Sequence, residues 1–183
     1  MTYNMTIAGI ERQLPICKVT DDLYIGAFVI FGDVELTCAC AEQLLKVAPD
    51  FDYMVAPEAK AIPLIHEMAR QSGRNTYFLA RKSPKLYMNG VFEAEVKSIT
   101  TAQSQKLYMD GSDADKMKGK RIIIVDDVIS TGESLCAVEE LVGKAGGTVV
   151  GRLAILAEGD ATERDDIIFL EKLPLFDRNG NPI

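Results

Sequence analysis

Residues 121–134 read Arg-Ile-Ile-Ile-Val-Asp-Asp-Val-Ile-Ser-Thr-Gly-Glu-Ser, and no other stretch restricts the possible folds so much. The four consecutive aliphatic residues Ile122 to Val125 have no polar face, as a strand buried on both sides of a parallel sheet requires. Asp126 and Asp127 follow directly, which places two carboxylates at the strand's C-terminal edge, where open α/β sheets bind their ligands. The small polar run Ser130 to Ser134 can wrap backbone N–H groups around an anion and start a helix beneath it. Adjacent carboxylates repel, and hydroxyl donors or a cation relieve the repulsion. Beside an anion nest they suit a ligand carrying both hydroxyls and phosphate, a sugar phosphate. The plainer reading is a helix cap with one solvated carboxylate; the aliphatic run before the pair and the Ser-Thr-Gly after it weigh against that.

The rest of the chain alternates strand and helix patterns. Leu14 to Cys17 and Tyr24 to Phe31 read as short strands or extended arms. Asp33 is placed to cap a helix in which Val34, Leu36, Ala41, Leu44, Leu45 and Val47 recur at helical spacing, ended by Pro49 and Asp50. Tyr53 to Ala56 is a strand and Pro57 to Ala61 its loop. A second helix starts near Lys60, since Pro63 is tolerated only in a first turn, and stops near Gly73. Thr76 to Ala80 is the next strand. From Arg81 to about Gln105 no helical period is sustained, although Val91 to Val96 suits one arm of a hairpin; such segments are usually lids or disordered. Lys106 to Met109 reads as a strand and Asp110 to Lys120 as a polar turn. After Ser134, Leu135, Val138, Leu141 and Val142 form the stripe of a third helix, stopped at Gly146-Gly147. Thr148 to Leu156 and Ile167 to Leu170 are further strands, and Pro174 to Ile183 an irregular tail. This order predicts one α/β domain over residues 1–183: a twisted, mainly parallel sheet with helices on both faces.

Composition removes several function classes. A chain of 183 residues with formal net charge −7 does not present an obvious nucleic-acid surface, so no nucleic-acid partner is expected. Cys17, Cys38, Cys40 and Cys136 match no zinc spacing, and Cys38-Ala-Cys40 is not a C-x-x-C redox pair; they read as reduced thiols in a cytoplasmic protein. No basic start leads into an apolar segment and no apolar run reaches membrane-spanning length, so no membrane partner is expected. Neither a G-x-x-x-x-G-K-[ST] loop nor a G-x-G-x-x-G after the first strand is present. His66, the only histidine, lies beside Ile65 on the second helix and suits packing or the surface, not a triad. Lys60, Arg81, Lys82 and Lys85 each follow a predicted strand. Singly they are surface charges; together they can bind a diphosphate.

The stretch Ile122 to Ser134 closely resembles the phosphoribosyl diphosphate loop of type I phosphoribosyltransferases. Pro57-Glu-Ala-Lys-Ala61 stands where purine members of that family carry a diphosphate loop, and Ala80 to Leu86 is similar to the entrance of their flexible lid. Phe31-Gly-Asp-Val34 resembles the segment after the base-covering hood of adenine-type members, and Glu171 to Phe176 resembles their ending.

The resemblance implies that a purine base attacks the anomeric carbon of phosphoribosyl diphosphate and that diphosphate leaves with Mg²⁺. It implies a hood built from residues 1–34 and 171–183, a lid at 81–105 and a homodimer. Asp126, Asp127, Lys60 and Arg81 would be the catalytic set. Asp126 and Asp127 would hold the ribose hydroxyls, directly or through metal and water. With Val128, Ile129, Ser130, Thr131, Gly132, Glu133 and Ser134 they would bind ribose 5-phosphate. Glu58, Ala59, Lys60, Ala61, Arg81, Lys82 and Lys85 would bind diphosphate, and Phe28, Phe31, Val128 and Ile129 the base.

The chain departs from the adenine-type pattern at several positions. Lys60-Ala61 replaces Arg-Gly, Glu133 fills a second glycine position, and no glutamate stands near Thr101. Glu58-Ala-Lys60 and Val96 to Thr100 look more like the xanthine type. Adenine is the favoured base, with xanthine, guanine or hypoxanthine as the alternative. A non-catalytic sensor of phosphoribosyl diphosphate is the reading of another class; such regulators carry an added nucleic-acid-binding domain, for which the chain has no room. A receiver domain also opens on Ile-Val-Asp-Asp, but there the pair lies near the N-terminus.

Overall fold

The structure is a computed structural model and describes residues 1–97 and 104–183. Its elements are β1 (Thr2–Ile7), β2 (Ile10–Lys18), β3 (Tyr24–Gly26), α1 (Val34–Val47), β4 (Tyr53–Pro57), α2 (Ile62–Gln71), β5 (Phe78–Ala80), β6 (Phe92–Lys97), β7 (Ser104–Met109), α3 (Gly111–Met117), β8 (Arg121–Ile129), α4 (Glu133–Lys144), β9 (Thr148–Glu158), β10 (Ile168–Leu173) and β11 (Leu175–Phe176), with a 3₁₀ turn at Gly159–Glu163. Five strands make a parallel sheet in the order β10-β9-β8-β4-β5. This is the α/β architecture expected from the alternating pattern.

The aliphatic run explains why β8 lies at the centre. Successive side chains of a strand point to opposite faces. Ile123 and Val125 enter one core with Leu36 and Leu44 of α1, Leu64 and Met68 of α2, and Ile155 of β9. Ile122 and Ile124 enter a second core with Leu135, Val138 and Leu141 of α4 and with Leu107 and Met109 of β7. All four are at most 1% exposed, and each such burial contributes about 1.5–3 kcal/mol. A charge at any of them would be buried without a partner.

The ends of the chain meet in a second sheet of order β1-β2-β3-β11, antiparallel throughout. Ala8 and Gly9, both at positive φ (51° and 82°), turn β1 into β2, the backbone twist that a two-residue hairpin favours. Asp33 caps α1 by accepting the Leu36 N–H at 3.1 Å, as its position suggested. Arg12 of β2 fastens that cap, donating to both Asp33 oxygens at 2.6 and 3.0 Å and to Glu35 at 2.8 Å.

Several local expectations are corrected. Asp110 to Lys120 is not a turn: Asp110 accepts the Ser112 N–H at 2.9 Å and starts α3, which buries Ala114 and Met117. Only these two residues face the core, too few to show a helical period. Strand β8 continues through the acidic pair to Ile129, because the eleven-residue β9 pairs with it that far. Strand β3 ends at Gly26, well before Phe31, whereas α2 starts at Ile62, close to Lys60 as Pro63 implied. The strand β1 lies in residues the sequence left unassigned, and the tail contains β11, whose Phe176 is fully buried. Of the expected lid, residues 98–103, and with them Thr101, lie outside the described residues; β6 and β7 on either side pair antiparallel as a hairpin. Among the described residues no helix is long and apolar enough to cross a membrane.

Candidate functional site

Parallel pairing brings the C-terminal ends of β4, β5, β8 and β9 to one edge of the sheet. Pro57 stands opposite Ala80, Asp126 opposite Ala154 and Ile129 opposite Ala157. The loops that follow these strands therefore face one another.

Asp126 and Asp127 are 9% and 4% exposed. Asp126 Oδ1 accepts the Asp127 backbone N–H at 2.9 Å. Burial pushes the Asp126 carboxyl well above the usual carboxylate range, the adjacent Asp127 pushes it further, and Lys60 opposes both weakly. Lys60 Nζ lies 2.9 Å from Asp127 Oδ2, yet that oxygen is buried and makes no hydrogen bond. The distance allows charge attraction while the angles do not form an N–H···O bond. Oδ2 is thus compensated by the charge of Lys60 but has no aligned donor.

The loop after β4 and the loop after β5 are joined through Glu58. Its Oε2 accepts the Lys82 backbone N–H at 3.0 Å and Arg81 Nε at 3.2 Å. The Lys82 N–H, opposed by burial and helped by the charges of Arg81 and Lys85, holds this carboxyl below its ordinary range. The Glu58–Ala59 peptide bond is cis, and Ala59 and Ala61 frame Lys60 in the loop, with Ala61 fully buried. Arg81 also donates to the Tyr87 hydroxyl at 3.3 Å, and Lys85 Nζ to Ser83 at 2.8 Å. Of the four cations proposed from sequence, Lys60 alone touches the acidic pair. Arg81 is held by Glu58, and Lys85 by Ser83.

After β8, Ser130 and Thr131 form a bend, and Glu133 and Ser134 are already the first residues of α4. Gly132 is the residue before the helix, in the left-handed region at φ 78°, and no side chain caps that helix through it. The first N–H groups of a helix lack partners inside it, and a pocket of about 50 Å³ lined by Asp126 and residues 128–135 lies at this helix start. This is room for a small oxyanion beside the acidic pair. Glu133 sits in the first turn of α4.

The residues proposed for a base are spread unevenly. Phe28 is 4% exposed and packs in the core with Ile30 and Leu36, so its ring offers little open surface. Phe31 is 51% exposed. Ile129 is buried in the second core, and Val128 packs at the edge of the first.

Two residues near the site carry no motif. Glu158 ends β9 and is half-buried; burial raises its carboxyl, opposed by the charge of Lys60. Its signal was the strand-edge position, hidden because the strand was read as ending at Leu156. Arg164, beyond the 3₁₀ turn, approaches Gly132 so closely that a Cβ there would lie 2.9 Å from its Nη1. No local pattern pairs these two positions.

Residues 40–179 match the family described as the phosphoribosyl transferase domain. An adenine phosphoribosyltransferase of Thermotoga petrophila is 38% identical over 109 residues, 60% of this chain and 60% of that protein. A hypoxanthine/guanine phosphoribosyltransferase of Methanococcus voltae is 31% identical over 119 residues, 65% of this chain and 59% of that protein. The chain thus spans about 60% of the length of these curated relatives. The crystal structure of an adenine phosphoribosyltransferase from Thermoanaerobacter pseudethanolicus superposes with a TM-score of 0.68 at 25% identity, covering 78% of this chain and 84% of that one. The match runs from the middle of α1 to the tail and takes in both the acidic strand edge and the start of α4, and on that extent the chain belongs to the phosphoribosyl transferase family.

Proposed function

We propose that this chain transfers a phosphoribosyl group from phosphoribosyl diphosphate to a free purine base, adenine favoured, releasing diphosphate and forming a purine nucleoside 5′-monophosphate. The observation that carries the reading is the buried acidic pair, with Lys60 on Asp127 and Asp126 lining the small pocket at the start of α4. A ribose hydroxyl supplies Asp127 with an aligned donor in place of Lys60, and the phosphate on the same sugar reaches the helix start.

Each proposed role follows from charge. The leaving diphosphate gains negative charge as the bond to the anomeric carbon breaks, so preorganised cations stabilise it. Lys60 exchanges Asp127 for diphosphate, and Arg81, Lys82 and Lys85 approach as the lid over residues 81–105 closes. The ribose ring gains positive character, which Asp126 and Asp127 favour. Lid closure excludes water that would otherwise hydrolyse the activated sugar. The sheet formed by β1, β2, β3 and β11 serves as the hood over the base, and Phe31, which lies beyond that sheet, offers an exposed aromatic ring.

Magnesium fits this donor set as the ion that accompanies diphosphate. Among the described residues no group of three or more His, Cys, Asp or Glu side chains is placed to hold a metal, and Asp126 and Asp127 provide hard oxygen donors for one whose other ligands come from phosphate and water. Bound there, Mg²⁺ would neutralise charge on the leaving group. The family resemblance also supports a homodimer and a cytoplasmic setting.

Turnover of phosphoribosyl diphosphate with adenine, hypoxanthine, guanine and xanthine, each with Mg²⁺, tests the reading. Adenine is expected to give the highest kcat/KM. Absence of nucleotide with all four bases rejects catalysis, and calorimetric binding of phosphoribosyl diphosphate without turnover would assign the sensing role instead.

A further inference from the structure

We propose that Arg164 is a further binding residue of this site, placing its guanidinium against the 5′-phosphate end of the ribosyl ligand at Gly132; this rests on reading residues 130–134 as the cradle of that phosphate. Arg164 follows the 3₁₀ turn after β9, and the cradle follows β8. Because Ile129 and Ala157 are paired neighbours, the two connections leave the sheet side by side. Arg164 Nε and Nη2 donate to the two oxygens of Asp166 at 2.9 and 2.8 Å. Among the described contacts Nη1 makes no hydrogen bond, and it is the atom 2.9 Å from where a Gly132 Cβ would stand. Glycine is thus required twice at this position, for its positive φ and for the space the guanidinium occupies.

Charge gives the arrangement its purpose. Residues 130–134 contain no lysine or arginine, and they include Glu133. A helix start offers roughly half a positive charge, less than a doubly charged phosphate beside a glutamate calls for. The planar guanidinium fork matches phosphate oxygens and keeps its charge at any working pH. Its orientation is fixed from behind: Arg152 of β9 contacts Asp166 at 3.5 Å and is bonded to Glu139 of α4, the helix that begins at the cradle. Asp166 therefore sets the plane of Arg164, while Nη1 remains available.

Calorimetry with ribose 5-phosphate, phosphoribosyl diphosphate and diphosphate alone tests this on the wild type and on Arg164→Ala, Arg164→Gln, Arg164→Lys and Asp166→Asn. Arg164→Ala and Arg164→Gln are expected to weaken both phosphorylated sugars by about tenfold or more, with diphosphate binding changed less than about twofold. Arg164→Lys should restore part of the loss. Asp166→Asn keeps an acceptor for the guanidinium and should lose less than Arg164→Ala. Equal affinities for ribose 5-phosphate in wild type and both uncharged variants would overturn the proposal, as would equal losses for all three ligands or equal losses in Asp166→Asn and Arg164→Ala. Should Arg164→Ala fail to fold, Arg164→Gln decides. Wild type that binds neither phosphorylated sugar would overturn the cradle reading itself, a result separable from failure of Arg164 alone.

Discussion

Lys60 Nζ lies 2.9 Å from Asp127 Oδ2, and that oxygen has no hydrogen bond. The loop after β4 thereby places its cation on the acid pair of β8, in contact but poorly aligned. In the proposed function a ribose hydroxyl replaces the cation at Asp127, and the cation moves to the leaving group. Nearly half of the Lys60 side chain is exposed, which leaves it free to make that exchange.

Lys60→Ala should therefore weaken diphosphate in the reverse reaction by about tenfold or more, the scale of a charge-assisted bond, while the affinity for the base changes little. Initial-rate measurements varying each ligand separately check this. Equal losses for diphosphate and base would remove Lys60 from the leaving-group side.

Asp126→Asn combined with Asp127→Asn should lower kcat/KM by about a hundredfold or more, the scale seen when a preorganised charge-stabilising group is removed. The fold should survive, because burial already disfavours a charge at Asp126. Circular dichroism melting in parallel with turnover separates the two effects. Undiminished activity would exclude the pair from the site.

Gly132→Ala should cost about 1–3 kcal/mol of stability, the usual cost of holding a non-glycine residue in a sparsely populated backbone region, since φ is 78° and Arg164 Nη1 occupies the space of the methyl group. A denaturant melt gives the value. The same variant should bind ribose 5-phosphate more weakly, because the cradle must shift to admit the methyl.

A pH dependence is expected from Glu67, away from the acidic pair. Arg70 first, with Gln71 and Cys38 helping against burial, holds its carboxyl down to about 2, from an ordinary value of 4.5. The unfolded chain therefore binds this proton more readily than the folded one between those values. Its stabilisation is present above about pH 4.5 and is lost as pH falls toward about 2. Glu67→Gln should flatten the acid limb of a melting-temperature profile; an unchanged slope would show that the carboxylate contributes nothing there.

The sequence by itself determined what depends on near neighbours. The run Ile122 to Val125 specified a strand buried on both faces, Asp33 specified a helix start, and Asp126 to Ser134 specified a carboxylate pair ahead of a further helix start, because alternation, capping and turn chemistry act over a few residues. Short elements escaped it: α3 buries only Ala114 and Met117, and β11 is two residues long, so neither shows a period. The tertiary structure alone decided that Lys60 rests on Asp127 while Arg81 is held by Glu58. It alone brought Arg164 against Gly132 and Arg12 onto Asp33. Those pairings depend on strand order and register, which are set by how the two cores close around β8 and leave no local trace in the chain.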